Sequence, residues 1–391
     1  MRTTDASTET ADVRRRLGAM TRTDPGDWHL VFRARYGMEV VFRALADVHG
    51  TGCVATQLLT CATAVNPILA AGLTPVYGEI SQDSLALDPR LLSVPESTRA
   101  VVLQHSFGII DQVRSTGLRD RADAADALLV EDSAHCVGRM ARDLQGSPLA
   151  DVSIHSFGAE KVLPTRFGGA VWVNPDRSDR AMQHRLCTDF ANLPRLPETI
   201  ASRSRLYRGQ VCVLNRLPQS VAAHTRDTLT RLRLFEPLIA PSETAGRLPY
   251  EPAQPATWMT RAIADHLGRL RCVERRRAAA TQVYLAELSG RLRVPGSITA
   301  DMPLVRFPCF APSAGVAEHL LQTLTAAGVY AGRWYRPALF PGVCDPARFG
   351  FRPGRTTPVT QDLIGRILNL PTASGPLEAA RASAIVRRVC G

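Results

Sequence analysis

The first half of the chain carries a series of short apolar runs, each broken by polar residues or glycine. They are CVATQLL (53–59), TPVYGEI (74–80), a run inside RAVVLQHSFG (99–108), ALLVEDSAH (127–135), VSIHSF (152–157) and GGAVWVN (168–174). Runs this apolar have no wet face, so they predict strands buried on both sides. Between them, GMEVVFRALADVHG (37–50) and ATAVNPILAAG (62–72) place apolar residues at helical spacing and end at glycine, although Pro67 interrupts the second; Arg119 to Ala127 also reads as helix. Strands alternating with helices in this way predict an α/β fold: a mostly parallel central sheet with helices on both faces. Ligands bind such sheets at the carboxyl ends of the strands. Glu131, Asp132, His135 and Ser156 all fall at predicted strand ends.

From about residue 176 to 252 the chain becomes rich in arginine and proline, with a helical pattern. Residues 262–288 read as one long helix with a bend at Gly268, 302–310 as a strand and 314–329 as a helix, the makings of a smaller α+β C-terminal domain. The expected division is a mobile polar leader over 1–25, a large domain over 26–250 and a small domain over 251–391.

Composition narrows the class. Of 391 residues, 45% are hydrophobic, enough for a full core. No apolar run approaches the ~18 residues of a membrane span, and the first residues lack the apolar stretch of a secretory signal. The nine cysteines are scattered and form no C-x-x-C pair. That pattern predicts reduced thiols in the cytoplasm, with neither a disulfide framework nor a metal site. The formal net charge is +11, but the arginines are spread along the chain and the two RRR runs have no interleaved aromatics. The charge therefore predicts anionic small molecules as partners, with no nucleic acid and no membrane.

One residue stands apart. The chain has 47 lysines and arginines, and only Lys161 is lysine. Guanidinium stays charged in a protein and is no amine nucleophile, whereas a buried ε-amine loses its proton and forms a Schiff base with a carbonyl. Lys161 therefore marks a place where arginine will not serve. Asp132 ends an apolar strand upstream of it, His135 follows Asp132, Ser156 precedes the lysine, and Gly168-Gly169 allows close backbone approach. An amine, a carboxylate, and hydroxyl and helix N-terminal groups for a phosphate suit pyridoxal 5′-phosphate (PLP). Gly37 and Met38, at the start of a predicted helix, are candidates for the phosphate-binding amides. His105 and Phe107 end another strand, facing either the site or the core, and Pro164 and Thr165 shape the loop after the lysine.

The order of these pieces resembles the DegT/DnrJ/EryC1/StrS family of PLP-dependent, fold-type I aminotransferases. The resemblance runs over roughly residues 30–340, through LTCATAVNPILAAGLTPVYGEI, ALDPRLL, VVLQHSFGI, LLVEDSAHCVG and DVSIHSFGAEKVLPTRFGGAVWVN. It implies the fold of PLP-dependent transferases of type I. It implies Lys161 as the lysine that forms the internal aldimine, Asp132 as partner of the pyridinium nitrogen, His135 beside the ring hydroxyl and Ser156 as a phosphate ligand. Lysine rather than histidine at 161 implies transamination rather than 3-dehydration. The implied reaction moves an amino group from glutamate or glutamine to a keto sugar nucleotide or related natural-product precursor, in a homodimer with active sites at the subunit interface.

The sequence also departs from the family pattern. The helix usually begins Gly-Thr or Gly-Ser, matched here to Gly37-Met38. Cys61 stands where an aromatic often covers the ring, and the element that lends an Asn to the neighbouring subunit is matched by Ala256-Thr257-Trp258-Met259. Arg333, Trp334 and Tyr335 resemble part of the late active-site loop. The rebuilt pocket keeps open two alternatives: a PLP enzyme of the same fold catalysing dehydration, elimination or condensation, and a non-catalytic sensor or partner-binding protein.

Overall fold

A computed structural model describes residues 6–177 and 179–390. Seven strands form the main sheet: β1 (Trp28–Val31), β2 (Cys53–Thr56), β3 (Thr74–Tyr77), β4 (Thr98–Gln104), β5 (Leu128–Ser133), β6 (Val152–Ser156) and β7 (Gly169–Val173). Their order is β1-β7-β6-β5-β4-β2-β3. The neighbours from β3 through β6 pair in parallel, and β7 is antiparallel to both β6 and β1. This is the expected α/β architecture.

The period-two pattern of the strands sorts their residues onto two faces. Val102, Val130, Ile154 and Val171 pack with helices α2 (Ala34–His49) and α5 (Arg180–Ala191); α1 (Ala6–Thr21), α3 (Ala62–Ala70) and α4 (Gln112–Ala124) are the other helices of this half. On the other face Val101, Leu103 and Leu129 meet Leu118 and Ala122 of α4. Gly37 lies where α2 crosses β7. A Cβ there would sit 2.5 Å from Val171 Cγ2, so only glycine lets the helix approach this closely.

The Arg-rich segment forms α6 (Glu198–Leu214), α7 (Gln219–Arg231) and the short α8 (Pro241–Thr244). The expected long helix is two, α9 (Thr257–Leu267) and α10 (Leu270–Leu288), separated at Gly268-Arg269. Beyond them β8 (Arg306–Phe310) and β9 (Ile367–Pro371) pair antiparallel, with α11 (Ala314–Ala326), α12 (Pro358–Arg366) and α13 (Pro376–Cys390) around them. Tyr284, Phe307 and Leu368 are fully buried in this smaller α+β unit. Placing its boundary at residue 250 stays our proposed division, because one apolar cluster joins Trp28 of β1 to Phe307 of β8.

The leader differs from the expectation. Residues 1–5 lie outside the described residues, but residues 6–21 form α1, whose Val13 and Leu17 are fully buried. Arg14 Nε donates to the Trp28 carbonyl, and Glu9 pairs with Arg261 of α9 at 2.7 Å. The segment looked polar because it buries only a narrow stripe of a helix.

Candidate active site

The carboxyl ends of β4, β5 and β6 open into a cavity of about 1090 Å³, open mouth included. Register brings its floor together: Gln104 lies beside Asp132, and Ser133 beside His155. Asp132, His135, Ser156, Met38 and Lys161 all line the cavity. Five of the six residues singled out from the sequence thus meet in one place.

Phe107 follows β4 with φ at 60°, in the left-handed region that a bulky residue seldom enters. This turn directs its N–H onto His135 Nδ1 at 2.9 Å. A nitrogen that accepts carries no proton, so the hydrogen-bond network assigns the ring proton to Nε2. Nε2 lies 2.8 Å from Lys161 Nζ and 3.1 Å from the Tyr335 hydroxyl. An N–H aimed at Nζ calls for a lone pair, which the amine has and the ammonium lacks. The electrostatics agree. Burial lowers the Lys161 pKa from its usual 10.5, against the opposing pull of the Asp132 charge. Burial also lowers His135 well below its ordinary value, and the charge of Lys161 adds to the effect.

Asp132 is 7% exposed and accepts the Ala134 N–H at 3.0 Å. Burial raises its pKa and the Lys161 charge opposes this. Its neighbour Glu131 points to the opposite side of the strand, as the period of two requires. There it bonds His105 Nε2 at 2.7 Å and the Ala141 N–H at 2.6 Å, and accepts from Ser153. Burial works against the Glu131 charge, but these bonds, His105 first, outweigh it and lower its pKa. His105 both lines the cavity and ties its floor to this network.

Ser156 ends β6, and its Oγ accepts the Gly158 N–H at 3.3 Å, leaving its own proton to donate. A Cβ on Gly158 would lie 3.4 Å from both Ser156 Oγ and Lys161 Cγ.

The helix register corrects the expected amides. Arg33 caps α2, and the Tyr36 N–H already returns to the Arg33 carbonyl at 3.0 Å. The amide of the first turn left free on the cavity wall is therefore that of Arg35, because the main-chain bridge of Arg33 to Gly168 engages Ala34. Gly37 lies one turn in, beyond the free amide, with its α-carbon against β7. Met38 reaches the cavity through its side chain, being 3% exposed.

No local sequence pattern signals what closes this end. Arg33 pairs with Glu236 at 2.6 Å and donates to the Pro237 carbonyl at 3.1 Å. Arg35 pairs with Glu243 and donates to the Leu238 carbonyl at 2.9 Å. Both carboxylates are buried. Residues 236–243 are thereby held across the start of α2, and Leu238 and Ile239 become cavity wall. The Arg33 guanidinium also lies 4.9 Å and 5.0 Å from the ring centroids of Phe32 and Phe167.

On the opposite side Trp334 and Tyr335 line the cavity, and Trp334 stacks on His135 at 5.4 Å between centroids. Arg333 turns away to Glu318. Cys61 caps α3 at the cavity edge, while Ala256-Thr257-Trp258-Met259 leads into α9 and buries Met259. The set fits PLP: a buried carboxylate facing the cavity, an amine whose charged form burial disfavours, and a corner with a hydroxyl and a free helix amide for a dianion.

Comparison with known proteins gives the same answer. The pattern of the DegT/DnrJ/EryC1/StrS aminotransferase family matches residues 34–230. GDP-perosamine synthase of Vibrio cholerae is 30% identical over 125 residues, 32% of this chain and 34% of that protein. L-Glutamine:2-deoxy-scyllo-inosose aminotransferase of Streptomyces paromomycinus is 29% identical over 119 residues, 30% of this chain and 28% of that protein. The chain thus spans only about a third of these relatives' length. The putative sugar aminotransferase Spr1654 of Streptococcus pneumoniae, in its PMP form, superposes with a TM-score of 0.71 at 20% identity, covering 98% of this chain and 92% of the other. The matched pattern takes in α2, β5 with Asp132, and Lys161, the elements that build the cavity. The chain belongs to the DegT/DnrJ/EryC1/StrS aminotransferase family.

Proposed function

We propose that the protein is a PLP-dependent aminotransferase. In this reading it takes an amino group from an amino acid, glutamate or glutamine, and delivers it to a keto sugar nucleotide or a related keto natural-product precursor. The observation that carries the reading is the contact of Lys161 Nζ with the Nε2–H of His135, which favours the neutral amine in the cavity. The similar proteins named for GDP-perosamine synthesis and for 2-deoxy-scyllo-inosose amination support an acceptor of the sugar or cyclitol class.

PLP supplies an electron sink that stabilises negative charge at the substrate carbon. Every other part belongs to the chain. Asp132 holds the ring nitrogen in its protonated form, and its depth in the cavity keeps water from screening that interaction. Lys161 Nζ accepts and returns the proton of the substrate carbon, as general base and then acid. His135 orients that amine and favours its neutral form. Ser156 Oγ and the Arg35 amide would hold the phosphate, at the positive end of the α2 dipole. Leu238 and Ile239 exclude water from the same end.

The protein works as a homodimer in this reading. Leu206 and Val213 are each 59% exposed, seven residues apart on α6, with Val221 exposed on α7 and Leu232 just after it. Such an apolar stripe suits burial against a second copy. The nine unpaired thiols suit a reducing, cytoplasmic setting.

The test is the first half-reaction. Adding glutamate or glutamine to the PLP-loaded protein should bleach its yellow colour and leave pyridoxamine phosphate, identified by chromatography. Cofactor recovered only as PLP after every common amino donor would overturn the transaminase reading and favour elimination or condensation.

A further inference from the structure

The charges lining the cavity do not cancel. Arg33 meets Glu236 and Arg35 meets Glu243, while Lys161 faces Asp132. Glu160 is engaged by the Tyr330 hydroxyl at 3.2 Å and lies 3.9 Å from Arg306. One lining cation is left. Arg166 makes no ion pair or side-chain hydrogen bond among the described residues.

Its backbone is also unusual. Arg166 stands at φ 81°, where glycine is at ease and a long side chain is strained. Its main chain bridges to Gly158, beside the lysine loop, so the strained position is fixed against the site. Strain of this kind is retained where a side chain must point somewhere particular.

The α6–α7 pair brings more cations to the same edge. Tyr207 packs its ring edge-on against Phe167, the residue after Arg166, with centroids 5.6 Å apart. The fields of Arg226 and Arg166 both reach the Tyr207 phenol, and that of Arg208 reaches Arg166. Arg208 and Arg226 are exposed and have no acidic partner among the described residues. On α6, Arg208 lies about 200° around the helix from Leu206, so the apolar stripe and the basic edge face opposite ways.

We infer that Arg166, with Tyr207, Arg208 and Arg226, forms an anion subsite at the cavity mouth that takes the phosphate or diphosphate of the amino acceptor. The inference rests on reading the cavity as the transamination site and deepens it. Guanidinium forks bind phosphate oxygens in pairs, and several unpaired forks around one mouth suit a diphosphate better than a single carboxylate. The glutamates that neutralise Arg33 and Arg35 leave the mouth as the most attractive place for a second anion.

The test titrates PLP-saturated protein with inorganic pyrophosphate and with uridine diphosphate, by calorimetry at low salt. Arg166→Gly removes the guanidinium and relieves the backbone, so it should fold at least as well as wild type by thermal melting. It should weaken both ligands by about tenfold or more, the scale of a charged hydrogen bond. Arg208→Gln with Arg226→Gln, on the exposed helices, should weaken them by a smaller factor and flatten the salt dependence. Arg166→Lys should recover part of the loss. Equal affinity in wild type and variants would overturn the inference. So would pyrophosphate that binds only when PLP is removed, since it would then occupy the cofactor's phosphate corner. A loss of affinity for glutamate rather than for the phosphates would assign the subsite to the donor and overturn it as well. Attachment of PLP to Lys161, read separately by mass spectrometry, tells failure of this subsite from failure of the transaminase reading.

Discussion

Lys161 Nζ lies 2.8 Å from His135 Nε2, and the opposite nitrogen of that ring accepts the Phe107 N–H at 2.9 Å. A backbone amide therefore dictates which imidazole nitrogen is protonated, and that proton favours a neutral lysine.

The first prediction concerns this amine. Lys161 is the only lysine, so reductive methylation with ¹³C gives one ε-amine resonance for the chain. Burial opposes the charged form, with Asp132 opposing the shift, so in cofactor-free protein the resonance should titrate below the usual 10.5. In His135→Ala the midpoint should rise, because the donor that favours the neutral form is gone. A wild-type midpoint at or above 10.5 would mean that Lys161 is an ordinary ammonium.

Asp132→Asn should lose about two or more orders of magnitude in turnover with PLP still bound, the scale on which aligned electrostatic groups contribute to catalysis. Burial raises the Asp132 pKa, so removing its charge should not lower the melting temperature. Near wild-type turnover would make the carboxylate structural.

Ser156→Ala should weaken PLP binding by about 1.5–3 kcal/mol, the value of a hydrogen bond to a charged group. Titration of cofactor-free protein with PLP measures this. Unchanged affinity would leave the phosphate to the Arg35 amide and the α2 dipole.

Much of this site was legible before the fold was known, and the reason is local. Asp132, His135, Ser156 and Lys161 lie on or just after two consecutive strands of the sheet, within one stretch of sequence. Parallel register then aligns their ends, so spacing along the chain becomes position in the cavity. The free helix amide lies before Gly37 and Met38, although Gly37 reads like a phosphate glycine. Its real constraint is the close approach of α2 to Val171, which sequence cannot distinguish from an anion site. The closing segment was invisible for another reason. Arg33 and Glu236 are 203 residues apart, and no local pattern announces a pair made across that distance. Strands β1 and β9 were missed because each is short and takes its place only through tertiary partners.

That closing segment makes its own prediction. Glu236→Ala leaves the buried Arg33 without its carboxylate and should cost about 3–5 kcal/mol in denaturant unfolding. Arg33→Met with Glu236→Leu should cost less than the single change, because no charge is then stranded. A single variant as stable as wild type would show that the pair does not hold residues 236–243 over α2.

The most direct measurement is borohydride reduction of the PLP-loaded protein, followed by digestion and mass spectrometry. The account predicts a pyridoxyl group on one lysine-containing peptide, the one with Lys161, and none in Lys161→Arg, which should keep its fold and lose turnover. A wild-type digest with no pyridoxyl-modified Lys161 would contradict it.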